Sequence, residues 1–136
     1  MAAVGQASDT RSSKLRNVAW VYVATTLGLT IYGQLMIKWR VLHHGHMPAA
    51  LQDKASYLGN LLIDPWTLTA LMAAFVAALS WMAALSRLEI SRAYPFMGLS
   101  FVFVLLLSGA FFNESVTTLK VVGALLVVTG IALGAT

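Results

Sequence analysis

Cysteine is absent from this 136-residue chain. Neither a disulfide framework nor a thiolate metal site is therefore available, and cysteine usage marks no redox compartment. Charge is scarce as well. Only 10% of residues are Asp, Glu, Lys or Arg against 59% hydrophobic, and mean hydropathy is +0.78. A soluble domain of this size carries more charge than that. Acids are scarcest of all: Asp9 lies in the N-terminal tail, Asp53 and Asp64 in a long connection, Glu89 and Glu114 in short ones, and none sits centrally in an apolar run. That leaves no paired-carboxylate site, and no nucleophile–base arrangement replaces it, so the chain does not read as an enzyme and implies no cofactor. No basic patch is interleaved with exposed aromatics either. The net charge of +4 thus reads as loop lysines and arginines rather than as a nucleic-acid surface.

What is present is apolar length. One run spans Val18 to about Lys38, 21 residues, which at about 1.5 Å per residue matches the hydrocarbon core of a bilayer. It is too long for a signal-peptide core and has no clear cleavage site. Further runs cover roughly Pro65 to Leu85, Ala93 to Phe112, and Leu119 to the C-terminus. The expected fold is all-α integral membrane: a bundle of four transmembrane helices over residues 18–136, preceded by a polar basic tail over residues 1–17. Short connections, "SRLEIS" and "NESVTT", make the later helices antiparallel neighbours. In the longer connection Met47, Leu51, Ala55, Leu58 and Leu62 recur at helical spacing, which predicts a short amphipathic helix in the headgroup region between the first and second spans. Arg11, Lys14, Arg16, Arg87 and Arg92 fall on one side of this topology; Lys38, Arg40, Lys54 and Lys120 fall on the other. Five basic residues against four favour a cytoplasmic N-terminus.

Polar residues inside the spans are few and patterned. Steps of four along the first run give Tyr22, Thr26, Thr30, Gln34 and Lys38, a single slowly drifting stripe. Such groups face other helices or a wet cleft rather than lipid. For Lys38 a second reading stands beside this one: near a helix end its side chain can snorkel to the interface, with Trp39 and Arg40 as anchors. The third run opens with Arg92, Tyr94, Pro95, Gly98 and Ser100. Proline and glycine this close together bend a membrane helix and free backbone groups to line a cavity. An arginine there can hold an anion, or can serve as a positive-inside charge. Gly123, Gly130 and Gly134 mark the last run, and Gly130 with Gly134 makes a GxxxG pair suited to close approach within one chain or across a dimer. "HHGH" at 43–46 is read as an interfacial loop rather than as a metal site.

Together, "GQLMIK" in the first run, "SRAYPFMGLSFVFV" in the third, and "NES" followed by "GALLVVTGIALG" resemble the small multidrug resistance-like branch of the drug/metabolite transporters. The likeness is greatest to the two subunits of the aminoarabinose-phosphoundecaprenol flippase. It covers residues 18–136. The drug exporters of that branch carry a glutamate eight residues before their lysine, where this chain has Thr30, so proton-coupled drug antiport is not carried over. The resemblance implies a multi-pass protein of the bacterial inner membrane that moves a polyprenyl-phosphate-linked sugar for envelope-glycan or lipopolysaccharide modification. It implies membrane lipids and a homodimeric or paralogous partner among the chain's contacts. Lys38 and Arg92 are then expected to bind the phosphate, with Gln34, Thr30, Tyr94, Thr26 and Ser100 receiving the sugar. Two other readings remain open: a carrier of small polar or cationic solutes, and a non-transporting partner of a glycosyltransferase.

Overall fold

The computed structural model describes the backbone of residues 2–134 and the side chains of residues 13–134. Six helices follow in order: α1 (Ala2–His44), α2 (Leu51–Ile63), α3 (Pro65–Leu85), α4 (Ile90–Met97), α5 (Leu99–Phe112) and α6 (Thr118–Gly134). Three stretches are long and apolar enough to cross a membrane: Ser13–His44, Pro65–Leu85 and Ile90–Phe112, the last formed by α4 and α5 in series. The fourth expected span is a shorter apolar helix among the described residues, Thr118–Gly134.

The first helix overruns its expected bounds at both ends. No proline occurs before Pro48, so nothing breaks the helix between the polar tail and the apolar run. Gly45, with φ +88°, ends it in the left-handed conformation that glycine adopts without strain. The second span begins where the sequence places it. Asp64 caps α3, its Oδ2 accepting from the backbone N–H groups of Trp66 (3.0 Å) and Thr67 (3.2 Å), and Pro65 fills the first turn. A helix does form in the long connection, but Met47 precedes it and α2 starts at Leu51.

Small residues set the packing. The cores of α1 and α3 meet through Ala19, Val23 and Thr26 on one side and Ala70, Ala73, Ala77 and Ala84 on the other, all buried. A Cβ on Gly33 would stand 3.4 Å from the Ala70 carbonyl oxygen, the close approach that membrane helices use. Large apolar side chains point outward instead: Met72, Phe75, Leu106, Phe111 and Leu126 are all exposed, and no large side chain is fully buried among the described residues. That inversion of a soluble core fits surroundings of lipid.

The expected bend lies at Gly98, which separates α4 from α5. Pro95 sits inside α4, and the Gly98 N–H reaches back to the Pro95 carbonyl at 3.0 Å. That i→i+3 bond, tighter than the helical i→i+4 pattern, marks the break. α6 closes on this bend through Val127 and Ile131, while Asn113 turns the chain between α5 and α6 at φ 52°, a conformation asparagine tolerates.

Candidate functional site

Four of the seven residues expected to bind cargo line one cavity. Thr26, Thr30 and Gln34 of α1 face Ala74 and Ala78 of α3 across a space of about 510 Å³, and Tyr94 of α4 shares the lining. The alanine wall follows from the same small-residue packing that brings α1 and α3 together, so the groove exists because the helices beside it are thin. Thr26 is largely used by the fold. It is 3% exposed, and its hydroxyl lies 2.8 Å from the Tyr22 carbonyl and 3.3 Å from that of Ala77. Thr30, Gln34 and Tyr94 offer a hydroxyl, an amide and a phenol, all uncharged. Tyr22 packs instead against the cluster of Val23, Ala84 and Ala93. Ser100 donates to the Met97 carbonyl at 2.6 Å near the bend and is not among the groove residues.

Lys38 and Arg92 are not brought together. Arg92 shares a cavity with Arg16, near the start of the membrane stretch of α1, whereas Lys38 lies 22 residues farther along the same helix, roughly 33 Å away at 1.5 Å per residue. One phosphate cannot touch both. The antiparallel order of the helices requires this separation, since the third span begins on the side where the first one begins.

Lys38 also has a carboxylate beside it, contrary to the acid-free stripe read along α1. Its Nζ pairs with Glu114 from the α5–α6 connection and stands 5.2 Å from the Phe112 ring centroid. The Lys38 hydrogen bond holds the Glu114 carboxyl below the usual glutamate range against a smaller opposing effect of burial, with help from Lys38's charge, Ser108 and Lys120. Next to this pair an aromatic cleft of about 530 Å³ is lined by Tyr32, Trp39, Trp66, Phe111 and Phe112. A second ion pair closes the same end. Arg40 binds Asp64, whose side chain is 8% exposed. Burial raises the Asp64 pKa, but the hydrogen bond and charge of Arg40 and the N–H groups of Thr67 and Trp66 lower it more. Neither pair was legible along the sequence; only the "NES" motif hinted that Glu114 had a place in the fold.

The glycines of α6 are mostly open. A Cβ at Gly123 or Gly130 meets nothing within 4 Å, and one at Gly134 meets only Pro95 Cγ at 3.9 Å. At 43–46 the histidines join no group of three metal-type ligands among the described residues.

The profile of the EamA-like transporter family matches residues 10–136. The chain belongs to that family. Among the relatives of this EamA-like protein is a probable 4-amino-4-deoxy-L-arabinose-phosphoundecaprenol flippase subunit ArnE of Pseudomonas aeruginosa (strain LESB58), 40% identical over 53% of this chain and 63% of the relative. The matched stretch thus spans less than two thirds of that relative's length. An ArnE of the same description from Aeromonas salmonicida (strain A449) is 30% identical over 75% of this chain and 83% of its own. The correspondingly named ArnF of Serratia proteamaculans (strain 568) is 30% identical over 86% and 90%. No solved structure matches the chain. Family and helices together make it a multi-pass membrane protein of a transporter family.

Proposed function

We propose that this EamA-like chain is a subunit of a flippase that carries a polyprenyl-phosphate-linked sugar across the bacterial inner membrane. In this reading α6 is the fourth span, α2 lies in the headgroup region and the N-terminus is cytoplasmic. A second copy or a paralogous four-helix chain packs on the open Gly123 and Gly130 face. The observation that carries the reading is the uncharged groove: Thr30, Gln34 and Tyr94 line one cavity in an otherwise apolar wall. A sugar hydroxyl left without a partner in hydrocarbon costs about 2–7 kcal/mol. Donors and acceptors along the groove offset that cost while the polyprenyl tail stays in lipid. The names of the ArnE and ArnF relatives support a lipid-linked cargo and a two-subunit assembly.

The chemistry is transfer between leaflets, with no bond made or broken. At the Lys38 end an arriving phosphate competes with Glu114 for the ammonium, and Glu114 re-forms the pair when the phosphate leaves. A carrier of cationic solutes fits less well, because the groove offers no carboxylate to balance a cation. The test is reconstitution into proteoliposomes with a fluorescent polyprenyl-phosphate sugar, reading how fast the label becomes accessible to a membrane-impermeant quencher. Gln34→Ala combined with Tyr94→Phe is expected to slow movement at least tenfold. Wild-type movement in that variant, or none in the wild-type protein with or without a co-purified partner chain, overturns the proposal.

A further inference from the structure

The two ends of the bundle treat their cations differently. At one end Lys38 pairs with Glu114 and Arg40 with Asp64. At the other, Arg16 of α1, Arg87 of the α3–α4 turn and Arg92 of α4 line a cavity of about 620 Å³ with Leu15, Leu88 and Glu89. Glu89 stands 3.6 Å from Arg92, and neither Arg16 nor Arg87 has an ion-pair partner among the described residues. Three guanidinium groups against one carboxylate leave an excess of two positive charges around a space large enough for a ligand. Two chain segments far apart in sequence, Leu15–Arg16 and Arg87–Arg92, converge there, so the fold and not one basic run makes the arrangement. Leu15 and Leu88 give the cavity an apolar side. Two residues beyond Arg92 on the same short helix, Tyr94 lines the uncharged groove.

We infer that the Arg16–Arg87–Arg92 cavity is the docking site for the phosphate ester of the cargo lipid, at the end of the bundle where α1 enters the membrane. The inference rests on the flippase reading and deepens it, giving the phosphate its docking site at the end opposite Lys38. Guanidinium groups meet phosphate oxygens through paired N–H donors. The apolar side of the cavity accommodates the first isoprene units, and α4 links the phosphate site to the groove that receives the sugar. Anionic phosphate also offsets the mutual repulsion of the three arginines, which Glu89 balances only in part.

A charge-preserving exchange separates this role from a purely topological one. Positive-inside orientation accepts lysine in place of arginine, whereas paired-donor recognition does not. The probe is undecaprenyl phosphate in phosphatidylcholine nanodiscs, with binding read by native mass spectrometry. Arg16→Lys/Arg87→Lys/Arg92→Lys is expected to weaken binding at least tenfold, single Arg87→Lys less, and Lys14→Gln less than twofold. Equal binding by the triple variant and the wild-type protein overturns the inference. So does equal occupancy by phosphatidylglycerol, which marks an ordinary headgroup site, or displacement by equimolar inorganic phosphate, which marks a site for free anions. Failure of the wild-type protein to bind the probe at all overturns the lipid-linked reading with it, whereas binding that survives the triple exchange removes only the arginine site.

Discussion

At the scale of single residues, the ion pair between Lys38 and Glu114 decides how the cationic end of α1 behaves. A lysine near the membrane boundary can be neutralised by losing its proton or by gaining a partner. Here the fold supplies the partner from 76 residues away in sequence. Because the folded state lowers the Glu114 pKa, the pair's contribution to stability is complete above the ordinary glutamate range. It is lost as pH falls through the lower folded value. The thermal midpoint of the wild-type protein is therefore expected to exceed that of Glu114→Gln by a constant margin at neutral and mildly acidic pH, and the margin closes only below the ordinary glutamate range. A margin that closes between pH 6 and 8 assigns the effect to another group. The side chain is 41% exposed, so the gap is modest. Nothing in the local pattern around Lys38 announced Glu114. Spacing of four along α1 reveals which side chains share a face, but not which loop comes to rest against its end.

Among the elements, the paired helices α4 and α5 show how a bend is held. A Cβ added at Gly98 stands 3.0 Å from the Pro95 carbonyl oxygen, 3.3 Å from Val127 Cγ1 and 3.4 Å from Ile131 Cδ1. Backbone limits one side, and α6 limits the other. Gly98→Val is expected to destabilise by about 1–3 kcal/mol through overpacking, read as a lower thermal midpoint in detergent. A Cβ at Gly130 meets nothing within 4 Å among the described residues, so Gly130→Val is expected to leave that midpoint near wild type while lowering the dimer fraction in native mass spectra. A dimer fraction unchanged by Gly130→Val removes α6 from the interface. The helices themselves were largely legible. The apolar run from Pro65 marks the start of α3, whose Asp64 cap only the structure shows, and Pro95 with Gly98 marks the bend. The extent of α1 was not legible, because hydropathy reports where lipid can lie and not where a helix stops. The polar residues before Val18 lack a breaker and stay helical.

At the scale of the whole molecule, antiparallel order sorts the functional groups by depth. Arginines gather where the first and third spans begin, the uncharged groove follows, and the paired Lys38 and Arg40 stand at the far end. Assigning Lys38 and Arg92 to one phosphate grouped them by charge, although the order of the spans already placed them on opposite sides. The groove residues could be read because one helix carries three of them at a fixed spacing. The arginine cavity could be read only in part: the order of the spans put Arg16, Arg87 and Arg92 on one side, but did not show that the stretch 87–92 comes to rest against the start of the apolar part of α1. The same sorting governs energetics. Each acid near a described span faces a cation: Asp64 with Arg40, Glu89 with Arg92, Glu114 with Lys38. The Lys38 hydrogen bond lowers the Glu114 pKa, which disfavours proton exchange at this acid. Cargo movement is accordingly expected to change less than twofold when a pH gradient of one unit is imposed across proteoliposomes. A tenfold molar excess of a quaternary ammonium compound is expected to leave it unchanged, because the groove holds no counter-charge for a cation. Stimulation by the gradient together with competition by the ammonium compound reverses the assignment, making the groove a cation site and Glu114 its proton-exchanging acid.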